Sequence, residues 1–167
     1  MPLIIRVCAV AAILAGLLRA VASFIPETTP GVFVLYLLID LFLLGGIIGL
    51  YLFCVAAGKI LARLGFVLMC IALLLLIARD VGAVTPNAYA GAAALFSLGL
   101  VLFAIHALRT RNIPVWIPVT WILSTIVGPV GFFAPKLHFL FAISGLLFGL
   151  AFTCAGVVMW RTKTRQI

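Results

Sequence analysis

The sequence VFVLYLLIDLFLLGGIIGLYLFCVAA occupies residues 32–57 and decides the fold class. It is longer than the roughly 20 apolar residues that a transmembrane helix needs, so we predict that it crosses a bilayer. A single acid, Asp40, lies well inside the run, on a helical face that it shares with Tyr36. Gly45 and Gly49 form a G-x-x-x-G pair on roughly the opposite face, where a second helix can approach closely. We expect a helix with these two faces to be surrounded by protein rather than by lipid.

The composition of the whole chain indicates a polytopic membrane protein. Hydrophobic residues make up 67% of the sequence and charged residues only 8%, whereas a soluble domain carries about 25% charged residues. The net charge of +8 does not indicate a nucleic-acid partner, because the basic residues stand singly or in pairs at the ends of apolar runs. We therefore expect one all-α domain over residues 1–167 that lies in the lipid bilayer and binds no nucleic acid.

Turn-forming and basic segments divide the chain into six apolar runs, which predict a bundle of six transmembrane helices. The predicted helices cover about residues 3–24, 32–57, 64–83, 90–108, 114–133 and 138–160. The first run also resembles a secretory signal, but Arg19, immediately before the possible cleavage site, favours a retained helix. Pro118 and Pro129 lie inside the fifth predicted helix and indicate kinks there.

The basic residues of the connecting segments predict the orientation, because cytoplasmic loops of membrane proteins collect Lys and Arg. The side that collects most of them holds Arg6, Lys59, Arg63, Arg109, Arg111, Arg161, Lys163 and Arg165. The other side holds Glu27 and Lys136 in its connecting segments. We therefore predict that the basic side, with both termini, is cytoplasmic.

One segment carries a resemblance to other proteins. In residues 95–128 a Leu- and Gly-rich helix is followed by a basic turn, Ile113-Pro114, a nearby Trp and another apolar helix. This arrangement resembles a pattern that is common in small bacterial membrane proteins. The resemblance implies a bacterial origin, and hence a multi-pass protein of the inner (cytoplasmic) membrane, and it implies no activity.

Four charged residues inside the apolar runs are the strongest candidates for a binding site. They are Arg19, Asp40, Arg79 and Asp80. An unpaired charge in the hydrocarbon region costs roughly 2.5–3.5 kcal/mol on insertion scales, and all four map to the extracytoplasmic half under the predicted topology. We expect an ion pair between Asp40 and one of the two arginines. The alternatives are a site for an anion, a proton or a lipid headgroup, or arginines that extend to the interface.

The two histidines are further candidates at opposite depths of the membrane. His138 begins the sixth predicted helix, on the same side as the four charges, and could line the mouth of their site. His106 lies near the other end of the fourth predicted helix and is a possible ligand of haem or another pigment. The alternative for His106 is a hydrogen bond to a neighbouring helix or contact with the inner headgroups. Ligation of one haem by both histidines is geometrically implausible, and the sequence does not identify a cofactor.

The sequence contains none of the common catalytic or metal-binding motifs. It has no G-x-S-x-G, H-E-x-x-H, Walker or glycine-rich nucleotide motif, and its four cysteines show no C-x-x-C spacing. We therefore expect neither catalytic residues nor a metal site. The favoured function is a non-catalytic subunit or scaffold of a membrane assembly, with other membrane chains or further copies as partners. The alternative is a small transporter or channel with an outward-facing polar site around Asp40, Arg19 and Arg79, which a water-accessible cavity at Asp40 would favour.

Overall fold

The computed structural model of the protein describes residues 3–26, 28–54, 60–85, 88–137 and 139–162. Within these ranges it contains six α-helices, one short 3₁₀ helix and no β-strand. The α-helices are Leu3–Ala22 (α1), Val32–Cys54 (α2), Ile60–Asp80 (α3), Ala88–Thr110 (α4), Trp116–Phe133 (α5) and Phe139–Arg161 (α6). Each contains a stretch long and apolar enough to cross a membrane. The predicted all-α fold with six membrane-spanning helices is therefore confirmed.

The six helices form a closed ring in the order of the sequence. Each helix packs against its neighbours in the chain, and α6 closes the ring by packing extensively against α1. Short connections make the neighbouring helices antiparallel. Consequently α1, α3 and α5 end where α2, α4 and α6 begin. We call this side of the ring the Arg19 end, and the opposite side, where α1 begins and α6 finishes, the Arg6 end.

Glycines allow neighbouring helix backbones to come into direct contact. Between α3 and α4, a Cβ atom at Gly65 would lie 2.6 Å from the carbonyl oxygen of Gly99, and a Cβ atom at Gly99 would lie 2.8 Å from that of Gly65. Between α1 and α6, Gly16 and Gly149 face each other's backbone in the same way. Because Cβ atoms do not approach backbone atoms that closely, any larger residue at these positions must push the helices apart.

The glycine face of α2 packs against α1, and it uses a different pair of glycines from the predicted one. Gly49 faces Cys8, and a Cβ atom at Gly46 would lie 2.9 Å from the Cα atom of Ala12. Gly45 has more room, since its nearest neighbour would lie 3.2 Å away. The closest approach therefore involves Gly46 and Gly49, which are three residues apart and share a helical face.

Large side chains fill the interior of the ring toward the Arg6 end. Phe103, Trp121 and Phe152 are almost completely buried, and the rings of Trp121 and Phe152 have centroids 5.9 Å apart. The side-chain amide of Asn112, which follows α4, donates a hydrogen bond of 2.8 Å to the carbonyl oxygen of Cys54 at the end of α2. This half of the ring is therefore a packed core of the kind found in soluble domains.

Several helix boundaries differ from the prediction by up to one turn. α3 begins at Ile60 rather than at residue 64, because buried Ala62 and exposed Arg63 already belong to its first turn. α5 begins at Trp116, so Pro118 lies in the first turn, where the missing N–H has no intrahelical acceptor to lose. Pro129 is thus left as the interior proline of α5. The predicted end of the second helix at residue 57 lies outside the described residues.

The contact between Gly65 and Gly99 generates a stability prediction. We expect Gly99→Leu to lower the free energy of unfolding by about 1–3 kcal/mol, because the side chain must separate α3 from α4. Gly91→Leu on the same helix is the matched control, since no atom lies within 4 Å of a Cβ at that position. Thermal unfolding in a mild detergent measures both. Equal melting temperatures for the two variants would contradict the close contact of α3 and α4.

Candidate functional site: a charged cavity at the Arg19 end

At the Arg19 end the ring encloses a cavity of about 670 Å³ instead of a packed core. All six helices contribute residues to its wall. The space exists because α4 presents small side chains to the interior at this level, namely Ala90, Ala93, Ala94 and Ser97. The volume falls within the range of about 300–1,000 Å³ that is usual for small-molecule binding sites.

Aromatic side chains form much of the cavity wall. Phe96 of α4 meets Phe148 of α6 edge to face, with centroids 5.8 Å apart, and Phe132 of α5 lies 6.2 Å from Phe141 of α6. Tyr36 of α2 contributes to the opposite part of the lining. These rings offer a broad apolar surface to a ligand.

The four charged candidates from the sequence line this same cavity. Arg19 comes from the last turn of α1, Asp40 lies two turns into α2, and Arg79 and Asp80 end α3. The structure thus brings together side chains from three helices that are well separated in sequence. The fifth candidate on this side, His138, lies outside the described residues.

The ion pair in the cavity joins Arg79 to Asp80, so the expected pair between Asp40 and an arginine is wrong. The Nε and Nη2 atoms of Arg79 donate hydrogen bonds of 2.9 and 2.5 Å to Oδ1 of Asp80. The ring of Tyr89 packs on the same guanidinium, 4.9 Å from its Cζ atom. The Asp80 side chain is only 2% exposed, and its Oδ2 atom has no hydrogen-bond partner among the described residues. Arg79 and Asp80 therefore form a local ion pair within α3.

Asp40 and Arg19 have no such partners in the described part of the chain. No nitrogen of Arg19 or Arg79 lies within 4.0 Å of a carboxylate oxygen of Asp40, and the side chain of Arg19 makes no hydrogen bond to another described residue. Arg19, Arg79 and Asp80 nevertheless line the same cavity as Asp40. Among the described residues, the site therefore contains a carboxyl group and a guanidinium that form no ion pair.

Gly145 of α6 allows the end of α1 to approach closely. A Cβ atom at that position would collide with the hydroxyl of Ser23, whereas the Nη2 atom of Arg19 would lie 3.6 Å away, at an ordinary contact distance. That hydroxyl donates a hydrogen bond of 3.0 Å to the carbonyl oxygen of Arg19. The end of α1 is therefore held against α6, and the Arg19 side chain extends toward the cavity.

Polar groups of α5 and α6 complete the lining. The Ser144 hydroxyl donates a hydrogen bond of 2.8 Å to the carbonyl oxygen of Ser124, which ties the two helices together beside the cavity. Pro129 has no N–H to donate to the carbonyl oxygen of Thr125, four residues earlier. Thr125 and Pro129 both line the cavity. The carbonyl oxygen of Thr125, which lacks its usual helical donor, is therefore part of a residue in the cavity wall.

His106 does not belong to the cavity. It lies toward the Arg6 end of α4, is 2% exposed, and has its ring 6.4 Å from that of Phe103. The described residues contain no group of three or more His, Cys, Asp or Glu side chains that could hold a metal ion. The role of His106 as a possible ligand of haem or another pigment stays a prediction.

The aromatic wall and the small-residue face of α4 were not predicted as parts of a site. Residues 90, 93, 94 and 97 recur at three- and four-residue steps, which places them on one helical face. In the sequence, a small-residue face that borders a cavity looks the same as one that packs against another helix. α4 has a face of each kind: Gly99 packs against α3, and residues 90, 93, 94 and 97 border the cavity.

The chain matches no protein-family model, and comparisons with curated proteins and with solved structures give no match. The function must therefore be argued from the residues of the cavity. Those residues define a site in a membrane-spanning ring that combines an apolar wall with charges of both signs.

The distribution of charges generates a second stability prediction. We expect Asp80→Asn to lower the free energy of unfolding by about 1–3 kcal/mol, because it leaves Arg79 without its anionic partner in a partly buried position. Asp40→Asn removes a carboxylate that has no ion-pair partner in the part of the chain that the structure describes, so we expect no loss of stability. Thermal unfolding in detergent compares the two variants. A larger loss for Asp40→Asn would show that Asp40 carries the structural pair.

Proposed function

We propose that this chain is a small membrane transporter that binds its solute in the cavity at the Arg19 end. The observation that carries the proposal is the position of Asp40, which lines a cavity of about 670 Å³ without an ion-pair partner among the described residues. A charged group in the hydrocarbon region is costly unless another charge, water or a ligand stabilises it, and such groups commonly mark transport pathways. A cavity of this size admits both water and a small solute.

The charge distribution of the sequence supports an outward-facing arrangement. The basic residues Arg63, Arg109 and Arg161 belong to the Arg6 end, which we propose to be cytoplasmic, with both termini on that side. The cavity would then open toward the extracytoplasmic side of a bacterial inner membrane. Phe103, Trp121 and their neighbours would close the path to the cytoplasm.

Uneven packing around the ring supports a route for opening that path. The hairpin of α3 and α4 is held together tightly at Gly65 and Gly99, whereas its contacts with α2 on one side and α5 on the other are less extensive. The other four helices pack closely in the order α2, α1, α6, α5. Rocking of the α3–α4 hairpin against these four helices would expose the cavity to each side in turn.

A non-catalytic subunit or scaffold is the alternative function. Helix faces of small residues would support it, because such faces can receive helices of a partner chain. In the structure the helical glycines pack within the chain, and of those described only Gly91 faces open space. The packing thus supports the subunit proposal less than the sequence did, although association of further copies is compatible with either function.

Transport can be tested by reconstituting the protein into liposomes. The vesicles are incubated with a defined mixture of small amines, carboxylates and zwitterions, and retained solutes are quantified by mass spectrometry. We expect at least one solute to enter about tenfold faster than it enters protein-free vesicles. Ser97→Trp should abolish this uptake, because residue 97 lines the cavity.

Leu98→Trp is the matched control for this experiment, since its side chain is 53% exposed on the outer surface of the same helix. It should retain the uptake of the unmodified protein. Uptake that survives Ser97→Trp would contradict transport through the cavity. Uptake that equals the protein-free rate for every solute would contradict transport altogether and favour the subunit.

A further inference from the structure

The charges of the cavity restrict the chemistry of its ligand. Arg79 and Asp80 neutralise each other, and Tyr89 covers the guanidinium. Arg19 and Asp40 face the same space from α1 and α2 without forming an ion pair. Among the described residues, the lining therefore offers a ligand one basic and one acidic side chain that have no ion-pair partner.

We infer that the solute of this cavity is a zwitterion with an apolar body, whose anionic group binds Arg19 and whose cationic group binds Asp40. This inference rests on the proposed transport function, because it names the class of solute. The spacing supports it, since more than 4.0 Å separates the nitrogens of Arg19 from the oxygens of Asp40. That gap leaves room for ligand groups between the two charges.

The balance of charge in the lining favours a zwitterion over a singly charged solute. Two arginines and two aspartates line the cavity, so their formal charges cancel. A solute with one charge would pair with Arg19 or with Asp40 and leave the other charge unpaired in a site from which it displaces water. A buried charge that has lost its partner is strongly unfavourable. A zwitterion satisfies both side chains and leaves the site neutral.

The aromatic wall accounts for the apolar body of the ligand. Phe96 and Phe148 form an edge-to-face pair on one part of the lining, and Phe132 and Phe141 form another contact. Two sources supply the required chemistry: a free zwitterion such as an aromatic amino acid, and the headgroup of a zwitterionic phospholipid. Both place a cation and an anion a few bonds apart beside an apolar group.

Binding to the purified full-length protein in a nonionic detergent tests the inference. The free-solute series consists of L-phenylalanine, N-acetyl-L-phenylalanine as the anion and L-phenylalaninamide as the cation. The lipid series compares dihexanoyl-phosphatidylethanolamine with dihexanoyl-phosphatidylglycerol as the anion and hexylamine as the cation. We expect the zwitterion of one series to bind at least tenfold more tightly than its singly charged analogues, as measured by ligand-dependent shifts of the melting temperature. The series that shows this preference identifies the source.

Substitutions then assign the two charges. Arg19→Gln should remove the preference for L-phenylalanine, or for the lipid zwitterion, over a cation-only analogue, and Asp40→Asn should remove the preference over an anion-only analogue. In the lipid series dihexanoyl-phosphatidylglycerol supplies the anion and hexylamine supplies the cation. Arg63→Gln, on the exposed surface at the Arg6 end, is the control and should change neither preference. A purely structural role for Arg19 or Asp40 would instead weaken all ligands by the same factor.

The inference is overturned if a singly charged analogue binds as tightly as the zwitterion, if each variant weakens every ligand equally, or if no probe binds. Its failure can be separated from that of the proposed function. Binding of a singly charged probe that Ser97→Trp blocks would leave the cavity as a solute site and reject only the zwitterion. Absence of binding together with absence of uptake into liposomes would reject both.

Discussion

The carboxylate of Asp40 imposes the constraint on which this structure depends. It lies two turns into a membrane-spanning helix, and no arginine among the described residues forms an ion pair with it. The ring accommodates this charge by remaining hollow around it, while the opposite half is filled by Phe103, Trp121 and Phe152. One molecule thus combines a packed core, which supplies rigidity, with a cavity that keeps charged groups away from hydrocarbon.

Glycine contacts explain how so small a chain can enclose such a space. Close backbone approach at Gly16 and Gly149, and again at Gly65 and Gly99, fixes individual helix pairs without large side chains between them. The aromatic residues are then available to line the interior rather than to separate helices. The less extensive contacts of the α3–α4 hairpin with α2 and α5 divide the ring into two bodies, and the cavity borders both.

Hydropathy and charge were sufficient to predict the six helices, since each apolar run is long and each turn is marked by Pro, Gly or basic residues. They also grouped Arg19, Asp40, Arg79 and Asp80 on one side of the membrane. The predicted ion pair between Asp40 and an arginine was wrong, because Arg79 pairs with Asp80 instead. Adjacent residues point about 100° apart on an ideal helix, so the sequence did not suggest this pair. The long arginine side chain nevertheless reaches its neighbour at the end of α3. The cavity depends on the sizes of side chains that face each other across the ring from different helices. A local sequence pattern therefore could not predict it.

The most direct test of this account asks whether water reaches the interior of the ring. The native cysteines are replaced by alanine, and Ser97→Cys and Leu98→Cys are treated, in oriented membranes, with a charged, membrane-impermeant methanethiosulfonate reagent. Such reagents modify thiols that ionise in contact with water. Residue 97 lines the cavity and residue 98 faces outward, so the account predicts rapid modification at residue 97 and none at residue 98. A thiol at position 97 that stays unmodified from both sides of the membrane would contradict it.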